Sequence, residues 1–437
     1  MSVVLPSSVN YRESLPALPE GCQSINVACS PVNNSTFKPG EQIIFDFLNR
    51  GFLIPDSVYI SYTWTATLTG TTNTPLLIGC PVYTPFNRLD LQIGSQTVDS
   101  IQNYNVIMNM LSNLTMSVSD KYGLQSAFGY NKADGTSAIP NLEELDGRTL
   151  ITGAANLTGS FSAPLMSLIS SSEKLLPLFS MPQLRIILTH ESLNTMFRQD
   201  GTGGNIVSPA TWVLSNVELR YKIVDMGGNV EEMVRGMGEK IYIKSQSFAS
   251  STNTLTATST GSNELIYNMR FASVKSIFAI NGSASNNSNG RFDSVDLTSN
   301  TGEYSFLIGG QIYPQKPLSA QTNKSGILQE LRSAIGSIYD KNNSFAINTL
   351  EFNQISTLPV ATGNSLTCPA KFYIGCSVEK LNSNSLLTGI STQNSPISYR
   401  VTSGTSIGAA NATVTLVVNY DALIEVDLVN RQCSVKT

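Results

Sequence analysis

At 437 residues, 41% of them hydrophobic, the chain is long enough for two to three domains and can bury a core. Only 13% of residues are charged, the net charge is −4, and no basic run occurs anywhere, which excludes a strong electrostatic grip on nucleic acid. Asn, Ser and Thr together make up roughly 30%, where an average chain favours Lys and Glu, and this suits strands, turns and ordered loops.

The opening, MSVVLPSSVNYRESLPALPEG, lacks a basic n-region and is broken by prolines, so it reads as an arm lying along a surface and not as a secretion signal. Strand patterns follow. EQIIFDF places Ile43, Phe45 and Phe47 on one face. SVYISYTWTATLT alternates Val58, Ile60, Tyr62, Trp64, Ala66 and Leu68, and RLDLQIG alternates Leu89, Leu91 and Ile93. Gly94-Ser95 supplies a tight turn, TVDSI resumes the strand, and the period then changes. Tyr104, Ile107, Met108 and Leu111 form a helical stripe within residues 102–115. After a long irregular stretch, QLRIILTH and NVELRYKIVDM return to strands, the latter with Val217, Leu219, Tyr221 and Ile223 alternating.

GGNVEEMVRGMGEK follows, a short amphipathic helix with Val230, Met233, Val234 and Met237 on one stripe, and it is the best domain junction. The second half repeats the order. Strands run through ELIYNMRFASVKSIFAI, and IGGQIY (308–313) echoes IGSQTV (93–98). A detour marked by Pro314 and Pro317 then leads to a helix over 326–339, with Ser325 as its N-cap; the detour is expected at a surface. SFAINTLEF and AKFYIGCSVEKL resume the strands. From Ala412 to Leu428 apolar residues alternate without a break, which predicts a long strand, or two joined by a bend, with one face packed on a large sheet. The matching order of the halves indicates an internal duplication.

Candidate chemistry is sparse. His190 is the only histidine, so any hydrolytic triad needs it. GTSIG (404–408) formally matches G-x-S-x-G, but it lies between two strands and not at a strand-to-helix turn. Glu143-Glu144 and Glu231-Glu232 read as solvated pairs, and Asp200 opens a glycine-rich surface loop, DGTGGN, without P-loop or EF-hand spacing. Cys22, Cys29, Cys80, Cys368, Cys376 and Cys433 form no CxxC pair and read as reduced thiols. Asn113-Leu-Thr and Asn411-Ala-Thr reflect composition and not glycosylation. Trp64 and Trp212 fall in strand patterns and are expected in a core or interface. No residue is therefore assigned to catalysis, cofactor binding or metal binding. The expectation is a structural protein and not an enzyme, and no run of about 18 apolar residues offers a membrane span.

Four stretches resemble the double jelly-roll major capsid proteins of Polinton-like viruses, virophages and tailless phages with internal membranes. FKPGEQIIFDFLNRGFLIPDSVYISYTWTATLTG resembles their opening strands around an arginine-glycine turn. RLDLQIGSQTVDSIQNYNVIMNML and IYPQKPL…ILQELRSAIG resemble the strand–turn–strand–helix of the two rolls. LLTGISTQNSPISYRV…NYDALIEVDLV resembles the closing strands. Together they span most of residues 25–430.

The resemblance implies an all-β fold of two tandem eight-stranded jelly-roll sandwiches, each with a short helix after an internal strand. It divides the chain into an arm (1–22), a first roll (23–226), a helical connector (227–238), a second roll (239–430) and a tail (431–437). It implies a homotrimeric, pseudo-hexameric capsomer tiling an icosahedral DNA-virus shell in the virion, made inside the host cell and not secreted. Its partners would be further copies of itself, penton and minor capsid proteins, and an internal lipid membrane in some relatives. The arm (Val3 to Leu18) and tail (Arg431 to Thr437) are expected to contact neighbours or an inner layer. The alternative is a surface β-sandwich adhesin or carbohydrate-binding protein, and behind it a glycoside hydrolase on paired β domains.

Overall fold

A computed structural model describes residues 21–67, 75–77, 79–130, 149–150, 156–199, 209–256, 259–282, 292–297, 302–336, 346–347, 352, 357–358, 366–367, 371–380, 387–404 and 411–437. The first half holds eight principal strands: β1 (Gln23–Cys29), β2 (Gln42–Asp46), β3 (Tyr59–Thr67), β4 (Phe86–Ile93), β5 (Gln96–Gln102), then helix α1 (Tyr104–Thr115), β6 (Asn156–Pro164), β7 (Leu184–His190) and β8 (Thr211–Asp225). A short helix, α2 (Gly228–Arg235), precedes eight more: β9 (Lys240–Leu255), β10 (Gly261–Tyr267), β11 (Val274–Asn281), β12 (Glu303–Ile308), β13 (Gln311–Ser319), then α3 (Lys324–Ile335), β14 (Ile374–Ser377), β15 (Ile397–Ser403) and β16 (Ala412–Asp427). A last strand, β17 (Gln432–Lys436), pairs with β16. The tail read at 431–437 thus lies along its own chain's sheet.

All ladders between these strands are antiparallel, and their order carries the internal repeat. The first half forms sheets β1-β8-β3-β6 and β2-β7-β4-β5. The second forms β9-β16-β11-β14 and β10-β15-β12-β13. Adding eight to each strand of the first pair of sheets gives the second pair. The two chain ends of each half lie side by side, and no sequential hairpin order produces that arrangement.

The period-two patterns fill the cores as their alternation demands. Ile43, Phe45 and Phe47, then Ile60, Tyr62, Trp64 and Ala66, and Leu89, Leu91 and Ile93 are all buried. Trp64 stacks on Trp212 at 5.0 Å and 13°. Gly159, opposite Trp64 in the β6–β3 ladder, makes room: a Cβ there would lie 2.6 Å from the indole.

Four expectations need correction. The Pro314–Pro317 detour is no loop; those residues belong to β13, an edge strand, where the missing N–H groups cost no ladder bond. It is nevertheless at the surface, with Gln315 and Lys316 exposed. Asn323, not Ser325, caps α3, its side chain accepting from the Gly326 N–H at 3.0 Å, and the helix begins two residues earlier than expected. β16 is buried on both faces: Thr415, Val417, Asn419 and Asp421 are enclosed as well as their apolar neighbours. The connector helix forms, but its stripe packs only in part: Val234 lies against the core. Met233 is 68% and Met237 72% exposed.

Candidate functional site: the seam between the two sandwiches

The second face of β16 is buried because the two sandwiches pack side by side, and α1 is the centre of that contact. Its sequence, YNVIMNMLSNLT, carries an apolar stripe and also Asn105, Asn109 and Asn113, spaced four apart so that they stack along one ridge. All residues from Tyr104 to Leu114 are buried. Each asparagine finds partners. Asn105 donates to the Thr84 carbonyl (3.1 Å) and to Glu191 (3.0 Å) within its own half. Asn109 reaches across to the Phe292 carbonyl (3.1 Å), and Asn113 to the Tyr373 hydroxyl (3.1 Å). Lys121 closes the row by donating to Asn113 Oδ1 (3.0 Å).

The end of β5 supplies the other half of the seam. Asp99 is buried and accepts hydrogen bonds from Ser247 Oγ (2.6 Å) and the Tyr420 hydroxyl (3.1 Å), both from the second half. Burial pushes its carboxyl pKa up; the Ser247 and Tyr420 hydroxyls and the Leu168 and Ser100 backbone pull the other way. Ser250 donates to the Gln102 carbonyl (2.7 Å), while Asn103 donates to Ser250 (3.2 Å). The loop after β6 adds Leu168, whose carbonyl accepts from Ser245, and Glu173, whose N–H meets the Lys244 carbonyl at 3.2 Å. These directional hydrogen bonds favour one geometry between the halves, whereas apolar patches alone tolerate sliding, although Gln246 Oε1 and Asn419 Oδ1 are buried there without a hydrogen-bond partner among the described residues.

The residues singled out for chemistry do not converge. His190 ends β7, its N–H bonded to the Glu41 carbonyl at 2.8 Å, and burial lowers its pKa to about 4. Glu231 and Glu232 sit on the connector helix. Glu143, Glu144 and Asp200 lie outside the described residues, as does all of GTSIG except Gly404. Among the described residues no three His, Cys, Asp or Glu side chains form a metal-holding group. Both tryptophans are buried. The asparagine ridge escaped the sequence reading, although polar residues at every fourth position of an apolar helix were its visible sign.

No protein-family model matches the sequence, and no curated protein sequence matches it. Solved structures do match in three dimensions. The PBCV-1 Vp54 protein, as fitted into a reconstruction of the virophage Sputnik, superposes with TM-score 0.61 at 9% identity over 98% of this chain and 99% of that one. The Faustovirus major capsid protein gives TM-score 0.61 at 8% identity over 97% and 92%. The mavirus major capsid protein gives 0.55 at 11% identity over 100% and 95%. The chain is a double jelly roll. In each roll, one sheet brings the first and last strands together at its edge and the other carries the strand pair that leads into the helix. The double jelly roll places that helix differently in its two copies: α1 is enclosed at the seam, while α3 keeps an open face.

Proposed function

We propose that this chain is a major capsid protein, a structural and non-enzymatic component of a virion shell. The single observation that carries this reading is the pair of jelly rolls of identical strand order, locked side by side through a buried polar seam and matching capsid proteins along nearly their whole length. Two rolls per chain suit a homotrimer that presents six rolls as a pseudo-hexameric block, and such blocks tile an icosahedral shell. In this reading residues 1–22 are an arm, 23–226 and 239–430 the rolls, 227–238 the connector and 431–437 a tail. The partners are other copies, with penton and minor capsid proteins or a lipid layer beneath.

Multi-angle light scattering of the purified chain tests it. The expected species has three times the 47.1 kDa chain mass and forms before any particle. A monodisperse monomer at micromolar concentration, with no hexagonal blocks by electron microscopy, would sink the proposal.

A further inference from the structure

A cavity of about 450 Å³ lies in the seam itself, and both rolls wall it. Met108 and Leu111 of α1 and Met116 just past its end come from the first roll; Gln246 and Phe248 of β9 and Asn419 of β16 come from the second. Its volume falls within the roughly 300–1,000 Å³ typical of small-molecule sites. We infer that this cavity binds a small neutral amphiphile with an aliphatic body and a head that donates two hydrogen bonds, as a primary amide or a vicinal diol does. Such a ligand would touch both rolls of one chain, whatever larger body that chain builds.

Two incomplete side chains set the head. Asn419 is fully enclosed; its amide nitrogen donates to the Ser247 carbonyl at 3.3 Å, which leaves Oδ1 as the end to be satisfied. Asn419 Oδ1 and Gln246 Oε1 are both buried with no hydrogen-bond partner among the described residues. In the antiparallel ladder Asn419 stands opposite Phe248, and Gln246 lies two residues from Phe248. Gln246 and Asn419 therefore share one face of the pair as diagonal neighbours, near enough for long side chains to meet one ligand group. Buried acceptors without donors cost stability, and a head with two donors satisfies both at once.

The lining also sets charge and body. Among the described residues Asp56 is the one charged side chain on it, and Asp56 is exposed, so an ionic head beside Asn419 would lack a buried counter-charge. A neutral head avoids that cost. Met108, Leu111 and Phe248 are themselves buried and offer apolar walls, and methionine adapts to an irregular aliphatic chain.

The cavity has a way in. It shares Asp56, Val58, Phe128 and Pro164 with a cleft of about 820 Å³ that borders β1 and β3 through Val27 and Tyr59. Tyr59 and Leu124 on that cleft are 36% and 39% exposed and give an apolar approach. Because the walls come from two rolls that meet only in the folded chain, a ligand here binds the native state and stabilises it by mass action.

Isothermal titration and thermal melting of the full chain with octanamide and with the vicinal octanediol test this site. One site per chain is expected, with a melting temperature that rises saturably with either probe. N,N-dimethyloctanamide, which keeps the body and the carbonyl but has no N–H, should bind at least tenfold more weakly. Gln246→Leu removes one acceptor and should weaken both probes at least fivefold. Met116→Trp, at a half-buried side chain on the lining, should fill the cavity and abolish binding. No saturable binding to the wild-type chain, equal affinity for octanamide and its dimethyl analogue, or wild-type affinity in both folded variants overturns the assignment. So does a crystal structure grown with probe in which only water meets Gln246 and Asn419. The comparison of the two amides uses the wild-type chain and so stands even if a variant fails to fold.

Discussion

His190 shows how a single buried side chain sets a pH limit on the fold. Burial drives its pKa from 6.5 down to about 4, against the Lys38 backbone and the Glu191 and Glu41 charges, which pull it up. The folded chain keeps the imidazole neutral, so its contribution is fully present above pH 6.5. It is lost as pH falls between 6.5 and about 4, where only the unfolded chain takes up the proton. The full window corresponds to about 3 kcal/mol at 1.36 kcal/mol per unit. His190→Gln should flatten the fall in melting temperature across that window; an unchanged slope would show that other groups govern acid lability. Asp99 has the opposite sign. Its raised pKa favours the fold at low pH, and that contribution is lost as pH rises through its folded value. Neither behaviour was legible in the sequence, because burial of a polar side chain depends on what the fold lays over it.

Among the elements, the two helices make the same residue types do different work. Asn109→Ala would remove the hydrogen bond to the Phe292 carbonyl inside the seam, at a cost of about 0.5–1.5 kcal/mol. Gln329→Ala, at the matching place on the open face of α3, should change the stability of the dissociated chain by no more than about 0.5 kcal/mol. Chemical denaturation of both variants checks the contrast; equal effects would mean that the seam contributes nothing to folding. The strands themselves were readable, since Ile60, Tyr62, Trp64 and Ala66 announce one buried face by spacing alone. β16 was read as single-faced because Thr415, Asn419 and Asp421 look like solvent residues until a second roll covers them. β13 was misread for a different reason. Proline usually argues against a strand, yet at a sheet edge it also discourages unwanted pairing.

For the whole molecule, the duplication was legible from two short phrases and the order around them, while the way the copies pack was not. The arm gives a prediction at this scale. β1 enters beside the end of β8, with Gln23 opposite Asp225, so a deletion that stops at residue 18 leaves this ladder whole. Deleting residues 1–18 should leave folded trimers with an unchanged melting temperature but impair shell formation. Normal particles by electron microscopy would refute a role for the arm in assembly. The ladder between β9 and β16 also has a consequence in time. It runs unbroken from Lys240 opposite Asp427 to Leu255 opposite Ala412, and β16 lies between β9 and β11. On a ribosome, the roughly 170 residues from Leu255 to Asp427 take about 10–35 s at 5–20 residues per second. Throughout that interval the second roll waits for its central strand with the β9 edge unpaired, while the first roll is already complete. Nascent chains crowded on one message are therefore most prone to mispairing during the synthesis of their second half, and the first roll, closed early, is the part that can shield them.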